Sequence, residues 1–337
     1  MPRLNRGLTF RRWAIETAIR GLARAAEVNR HLQGAVASTR VIRDIPYPPG
    51  NDPAHLLDIY YPRSGSGPYP VLMYVHGGGF TLCSKETHRG IARIYASQGY
   101  LVVNVDYRLA PRHPFPAALE DVSNAFAWVA DHIHKFGGDP DRINLAGESA
   151  GGNLVLGLTV SACCSRPESM ARRIWDTGRI PVSVQVIAGL LQVSRPDRFA
   201  GIPQASIAGM GPVSLKIVTD VSRAYLGACL SGECPDAALA DPLRIIENGR
   251  LPDRPFPAVF AGAGTADILV GDTRRLETAL RSIGAPVEAR YYPGEPHVFH
   301  FLFWRHSARL FWIDSIDFLR RHAPPPLKFN DRLPNRP

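Results

Sequence analysis

Gly147-Glu148-Ser149-Ala150-Gly151 sets a serine between two glycines, after the strand-like Ile143-Asn144-Leu145-Ala146 and before Gly152-Asn153-Leu154-Val155-Leu156, which continues as a helix. Strand, sharp turn and helix form the setting in which a Gly-x-Ser-x-Gly serine stands clear of the backbone and can attack a carbonyl carbon. A hydroxyl is a weak nucleophile and needs a base beside it and donors ready for the oxyanion. The donors are suggested upstream, where His76-Gly77-Gly78-Gly79-Phe80 follows the strand-like Val71-Leu72-Met73-Tyr74-Val75. Glycines let backbone amides approach a ligand closely. The amides of Gly77 and Gly78, with that of Ala150, are the expected oxyanion donors, and loss of one such donor typically costs about 2.7–4 kcal/mol in the barrier. A glycine run by itself is as often a tight turn, and a lone serine here could be a helix N-cap. Glycine at both 147 and 151 favours the elbow, since a cap needs neither.

The order serine, acid, histidine restricts the search for the other partners to residues after Ser149. Asp267 follows the strand ending at Gly262 through Ala263-Gly264-Thr265-Ala266, at the strand edge where α/β sheets place functional groups. Asp272 is the alternative, read as an acid in the first turn of the next helix. For the base, His297 follows the strand ending at Tyr292 through Pro293-Gly294-Glu295-Pro296, with His300 a near neighbour. An acid beside the base would fix its tautomer and stabilise the imidazolium. His76 is expected to be structural, and His306 and His322 solvated.

The elements that must hold these residues alternate from about residue 56. Strands are expected at 56–61, 71–75, 101–106, 143–146, 182–191, 258–262 and 287–292, and helices at 88–98, 116–136, 151–164, 271–282 and 307–321. That pattern predicts an α/β fold with a mostly parallel sheet covered on both faces. The stretch 195–241, with Pro196, Pro203 and Pro212 before a helical 214–226, breaks the alternation. Residues 10–32 place Trp13, Ile15, Ile19, Leu22 and Ala26 near one helical face, suited to covering the body or lying on a membrane surface.

The formal charge of +9 comes from 39 Lys+Arg against 30 Asp+Glu, with the excess at the two ends. The near-neutral body argues against a nucleic-acid groove. No signal-peptide h-region and no long apolar run is seen, so a cytoplasmic protein, in peripheral contact with membrane at most, is expected. Five cysteines show no disulfide framework; Cys229 and Cys234 lack zinc-site spacing and are read as thiols in a reducing compartment.

Over about residues 55–320 the chain resembles the hormone-sensitive-lipase-like (bacterial family IV) esterases of the α/β-hydrolase fold. The likeness rests on His76 to Phe80, on Asp106-Tyr107-Arg108-Leu109-Ala110-Pro111 with His113-Pro114-Phe115-Pro116-Ala117-Ala118, on Gly147 to Gly152, and on the Asp267 and His297 regions. It implies a triad of Ser149, Asp267 and His297, oxyanion amides from Gly77, Gly78 and Ala150, and a helical cap from 1–45 and the 195–241 insertion over a body of 46–194 and 242–322. A basic Pro-rich tail, 323–337, follows. The implied activity is hydrolysis of short to medium acyl esters of small molecules through an acyl-enzyme, with no metal or organic cofactor and with Phe80, Leu82 and Ile268 lining the pocket. Amide or N-acetyl hydrolysis and acyl transfer use the same machinery. A non-catalytic ligand-binding relative, such as a plant hormone receptor that has lost the histidine, is disfavoured by His297. Oligomeric state stays open, a homodimer included. The chain departs from the family pattern at Glu148 (usually aspartate), Cys83 and Val298 (usually glycine) and Ile268 (often proline), and Cys83 is expected to confer sensitivity to thiol reagents.

Overall fold

The computed structural model describes residue 21 and residues 30–326, apart from 51, 200–204, 208–210, 214, 232–233, 235–236 and 250. In chain order the first elements are α1 (Arg30–Ala37), β1 (Thr39–Pro46), β2 (Leu56–Pro62), β3 (Tyr69–Val75), α2 (Arg89–Ser97), β4 (Leu101–Val105), α3 (Ala117–His132) and β5 (Gly138–Glu148). They are followed by α4 (Ala150–Cys163), α5 (Ser169–Asp176), β6 (Ser183–Ile187), β7 (Ala205–Ile207), β8 (Gly211–Val213), α6 (Leu215–Leu226) and α7 (Pro242–Glu247). The chain closes with β9 (Ala258–Gly264), α8 (Val270–Ser282), β10 (Val287–Tyr292) and α9 (His306–His322).

Eight strands form one sheet in the order β1-β2-β4-β3-β5-β6-β9-β10. The pairs β1/β2 and β2/β4 are antiparallel, and every later pairing is parallel. A strand covered on both faces must be apolar on both, and β3 shows how this is met. Val71, Met73 and Val75 enter the core shared with α3, α4 and α8, while Leu72 and Tyr74 point to the opposite core shared with α2 and α9. Helices therefore cover both sides, as the alternation predicted. No described helix is long and apolar enough to cross a membrane.

Several expectations are corrected. Residues 39–45, read as part of an N-terminal cap, belong to β1, the edge strand of the main sheet. The rest of the expected N-terminal helix lies outside the described residues, apart from 21 and 30–32, as does the tail from 327. The strand expected over 182–191 ends at Ile187, because the backbone turns at Ala188 (φ +46°). Cys229 and Cys234 are joined in a disulfide, with Cα atoms 4.8 Å apart, instead of being separate thiols. The short helices α5 and α7 were not anticipated.

The insertion 195–241 carries the small β7/β8 hairpin and α6. Helix α6 comes down on the body: Tyr225 stacks on Phe80, centroids 3.6 Å apart, and its carbonyl accepts a hydrogen bond from the Phe115 amide. Asn153 of α4 adds a second tie, donating to the carbonyls of Leu190 (2.8 Å) and Ala240 (2.9 Å).

The tightest packing is where β5 turns into α4. A Cβ on Gly151 would sit 2.0 Å from the Val75 carbonyl oxygen and 2.7 Å from that of His76. Backbone cannot swing aside as a side chain can, so Gly151→Ala is expected to lower stability by the upper end of the ~1–3 kcal/mol typical of overpacking. A reduced urea midpoint at unchanged m-value would show it; a midpoint matching the parent would contradict the crowding described.

Candidate active site

Register brings the motifs together. Val75 at the end of β3 pairs with Gly147 of β5, Glu148 pairs with Ile187 of β6, and Ile187 with Gly262 of β9. The loops leaving these strands therefore emerge at one level, on the carboxyl edge of the sheet.

At the first, Ser149 turns the chain with φ +54° and ψ −116°, an unusual backbone for a residue with a Cβ. The turn is pinned on both sides. The Ser149 amide donates to Ile187 O (2.9 Å), and its carbonyl accepts from Leu190 N (3.0 Å). The side chain is left half-exposed at the head of α4.

The loops after β9 and β10 are laced together by Thr265 N to Tyr292 O (2.9 Å) and Ala266 N to Glu295 O (3.1 Å). They carry Asp267 and His297 to the serine. His297 Nδ1 lies 2.8 Å from Asp267 Oδ2, and Nε2 lies 3.1 Å from Ser149 Oγ. A carboxylate opposite Nδ1 calls for the proton there, which leaves Nε2 as acceptor for the serine hydroxyl. Asp267 is itself steadied by the Leu269 amide on Oδ1 (2.8 Å). Burial works to lower the His297 pKa, but the charge and hydrogen bond of Asp267, with a contribution from Glu148, outweigh it and the net shift is upward.

The alternatives separate cleanly. Asp272 is buried under the cap, where it accepts from the Leu191 amide (2.9 Å) and from Arg198. His300 packs among Phe301, Phe311 and Trp312, and burial drives its pKa down to about 3. His76 is also held neutral, its pKa lowered to about 3 by burial and by neighbouring His88. It stacks on Tyr107 and is not near Ser149 in the hydrogen-bond pattern.

One expected oxyanion donor is otherwise engaged. The Gly77 amide donates to Glu148 Oε1 at 2.5 Å, so its proton is already taken within the protein. The next two residues bend the loop, Gly78 at φ +101° and Gly79 at φ +59°, and a Cβ on Gly78 would meet Leu82 O at 2.3 Å. Gly79 was not singled out from sequence, because three identical residues in a row do not separate their amides. Ala150 opens α4, where the first amides have no acceptor within the helix.

Of the expected pocket residues, Phe80 is fully buried beneath Tyr225, Leu82 is half-buried beside the glycine loop, and Ile268 enters the larger core next to Asp267. Val221 of α6 lies over Gly79, 3.0 Å from where a Cβ would stand. Cys83 and Val298 both have left-handed backbone, φ +73° and +54°. The loops keep a glycine-like path at these positions although the residues are not glycine.

Asp272→Ala would leave the partly buried Arg198 without this carboxylate and the buried Leu191 amide without its acceptor. A loss of ~3 kcal/mol is expected on the scale of broken buried pairs, read from denaturant unfolding; a loss below ~1 kcal/mol would contradict the tie between cap and body.

A family model described as α/β hydrolase fold matches residues 72–301. Esterase LipI of Mycobacterium tuberculosis is 35% identical over 274 residues, covering 76% of this chain and 78% of that protein. Carboxylesterase NlhH of the same organism is 46% identical over 243 residues, covering 71% and 69%. Among solved structures, a hyperthermophilic esterase from the archaeon Pyrobaculum calidifontis is 25% identical and superposes with a TM-score of 0.70, covering 91% of this chain and 92% of that one. The chain thus belongs to the α/β-hydrolase-fold family, together with these esterases and carboxylesterases.

Proposed function

We propose that this chain hydrolyses short to medium acyl carboxylic esters through an acyl-enzyme on Ser149. The observation that carries the reading is the unbroken line from Ser149 Oγ through His297 to Asp267, at 3.1 and 2.8 Å. Esterase and carboxylesterase relatives at 35% and 46% identity support the same chemistry.

His297 Nε2 takes the hydroxyl proton as Ser149 attacks the ester carbonyl, and Asp267 stabilises the imidazolium that forms. Negative charge then grows on the carbonyl oxygen, where the amides of Gly78, Gly79 and Ala150 receive it. Collapse expels the alcohol, which leaves with the proton from His297. Water activated by the same imidazole cleaves the acyl-enzyme and restores the serine. Leu82 is proposed to line the acyl side, with Val221 limiting the space above the glycine loop and with Phe80 and Ile268 packed behind as its buried support.

The test is hydrolysis of p-nitrophenyl esters from acetate to laurate beside Ser149→Ala. Turnover should be highest toward the short end, and the variant should lose roughly three or more orders of magnitude in kcat. A variant that keeps parental turnover would remove Ser149 from the mechanism. Matched anilides and water–methanol mixtures in the same assay separate amide cleavage and acyl transfer from hydrolysis.

The pH profile carries its own sign. A general base works only when neutral, and His297 binds its proton more tightly than an ordinary imidazole of pKa 6.5. Activity should therefore be retained above that raised value and lost as pH falls through it, with the acid limb of kcat/KM centred above 6.5. A limb centred below that value would contradict the influence assigned to Asp267.

A further inference from the structure

Glu148 is the most unusual side chain near the site: a carboxylate, only 2% exposed, on the residue before Ser149. Burying an ionised carboxylate is costly unless donors surround it. Here three donors converge. Oε1 accepts from the Gly77 amide at 2.5 Å and faces His88 Nε2 at 2.7 Å, and the Tyr74 hydroxyl donates to Oε2. Burial pushes the Glu148 pKa up, yet His88 and Tyr74 overcome this and hold it at about 2. The group is therefore an anion throughout the working range.

Its partners matter as much as its charge. Gly77 begins the loop that supplies Gly78 and Gly79, while Glu148 is the last residue of β5 before the nucleophile. One carboxylate thus joins the two halves of the oxyanion site, the glycine loop from β3 and the elbow from β5. Its far side is anchored too. His88 Nδ1 is 2.7 Å from Thr87 Oγ1, and the His88 ring lies against His76, which stacks on Tyr107, whose hydroxyl donates to the His76 carbonyl at 2.8 Å.

We propose that Glu148 is a positioning residue: it clamps the first peptide of the glycine loop to the nucleophile strand, so that the Gly78 and Gly79 amides converge with that of Ala150. This rests on the ester-hydrolase reading above and adds to it a group outside the triad. A displaced oxyanion donor costs rate without costing ground-state binding, because the charge it meets exists only in the transition state.

The charged and titratable groups around Glu148 come from every element packed on it: Tyr74 of β3, His76 in the loop, His88 and Tyr95 beside and within α2, Tyr107 after β4 and His300 before α9. His297 is faced by Asp267, Glu148 and His300. His76 and His300 are neutral, so removing the Glu148 charge leaves Asp267 as the one anion among the groups facing His297.

The experiment compares Glu148→Gln and Glu148→Asp with the parent and with Ser149→Ala, using p-nitrophenyl butyrate across pH and an aliphatic trifluoromethyl ketone as a mimic of the oxyanion adduct. Glu148→Gln should lower kcat about 10- to 100-fold with KM within about threefold, weaken the ketone in step with kcat, and move the acid limb to lower pH. Glu148→Asp keeps the charge but is one methylene shorter. It should leave the acid limb in place while kcat and ketone affinity fall. Glu148→Gln with kcat and ketone affinity within about twofold of the parent would overturn the proposal. Should that variant fail to fold, Glu148→Asp with parental kcat and ketone affinity would overturn it equally. Failure of the ester-hydrolase reading would look different, since Ser149→Ala would then be as active as the parent.

Discussion

The close contact between Gly151 and the carbonyls of Val75 and His76 is the constraint on which the site depends. Strands β3 and β5 are neighbours in register, Val75 opposite Gly147, so the chain leaving one and the chain leaving the other compete for the same space. With hydrogen at 151 there is room for α4 to start directly beside the glycine loop; with a methyl there the carbonyl of Val75 would be 2.0 Å away. The nearness of nucleophile and oxyanion donors is thus a packing result before it is a chemical one. The left-handed turn at Ser149 is retained because Ile187 and Leu190 hold its amide and carbonyl from the β6 side.

Within this frame, burial pushes the pKa of each enclosed imidazole down, and the groups facing the ring decide whether that push prevails. For His76 and His300 desolvation prevails and leaves them neutral, with pKa values of about 3. His297 is as deeply enclosed, yet Asp267 at 2.8 Å reverses the sign. A carboxylate on one ring nitrogen and the Ser149 hydroxyl on the other set His297 apart from His76 and His300.

Local patterns made much of this legible. The elbow, the glycine run and the acid and base loops each sit next to a strand end, so sequence order and strand placement sufficed to bring Ser149, Asp267 and His297 to one edge. What escaped was decided by contacts between distant segments. The Gly77 amide is taken up by Glu148, 71 residues away in the chain. Strand β1 was misread because its edge position leaves Arg40, Ile42, Arg43 and Asp44 exposed, with a register shift between Ile42 and Ile45, so neither apolar continuity nor clean alternation shows. The five-residue spacing of Cys229 and Cys234 does not by itself announce pairing; the fold of the cap brings their Cα atoms within 4.8 Å.

Under the proposed function, the stacking of Tyr225 on Phe80 would tie selectivity to rate. Phe80 follows directly on the glycine loop and shares its left-handed backbone, φ +57°, and its carbonyl accepts from Ala110 at 2.9 Å. Tyr225 and Val221 belong to the same cap helix, one resting on Phe80 and the other over Gly79. Any reshaping of this helix to admit a bulkier acyl group also shifts the platform under the oxyanion amides. Divergence toward new substrates would have to proceed by paired changes on the helix and the loop, because neither surface can be remodelled while the other stays still.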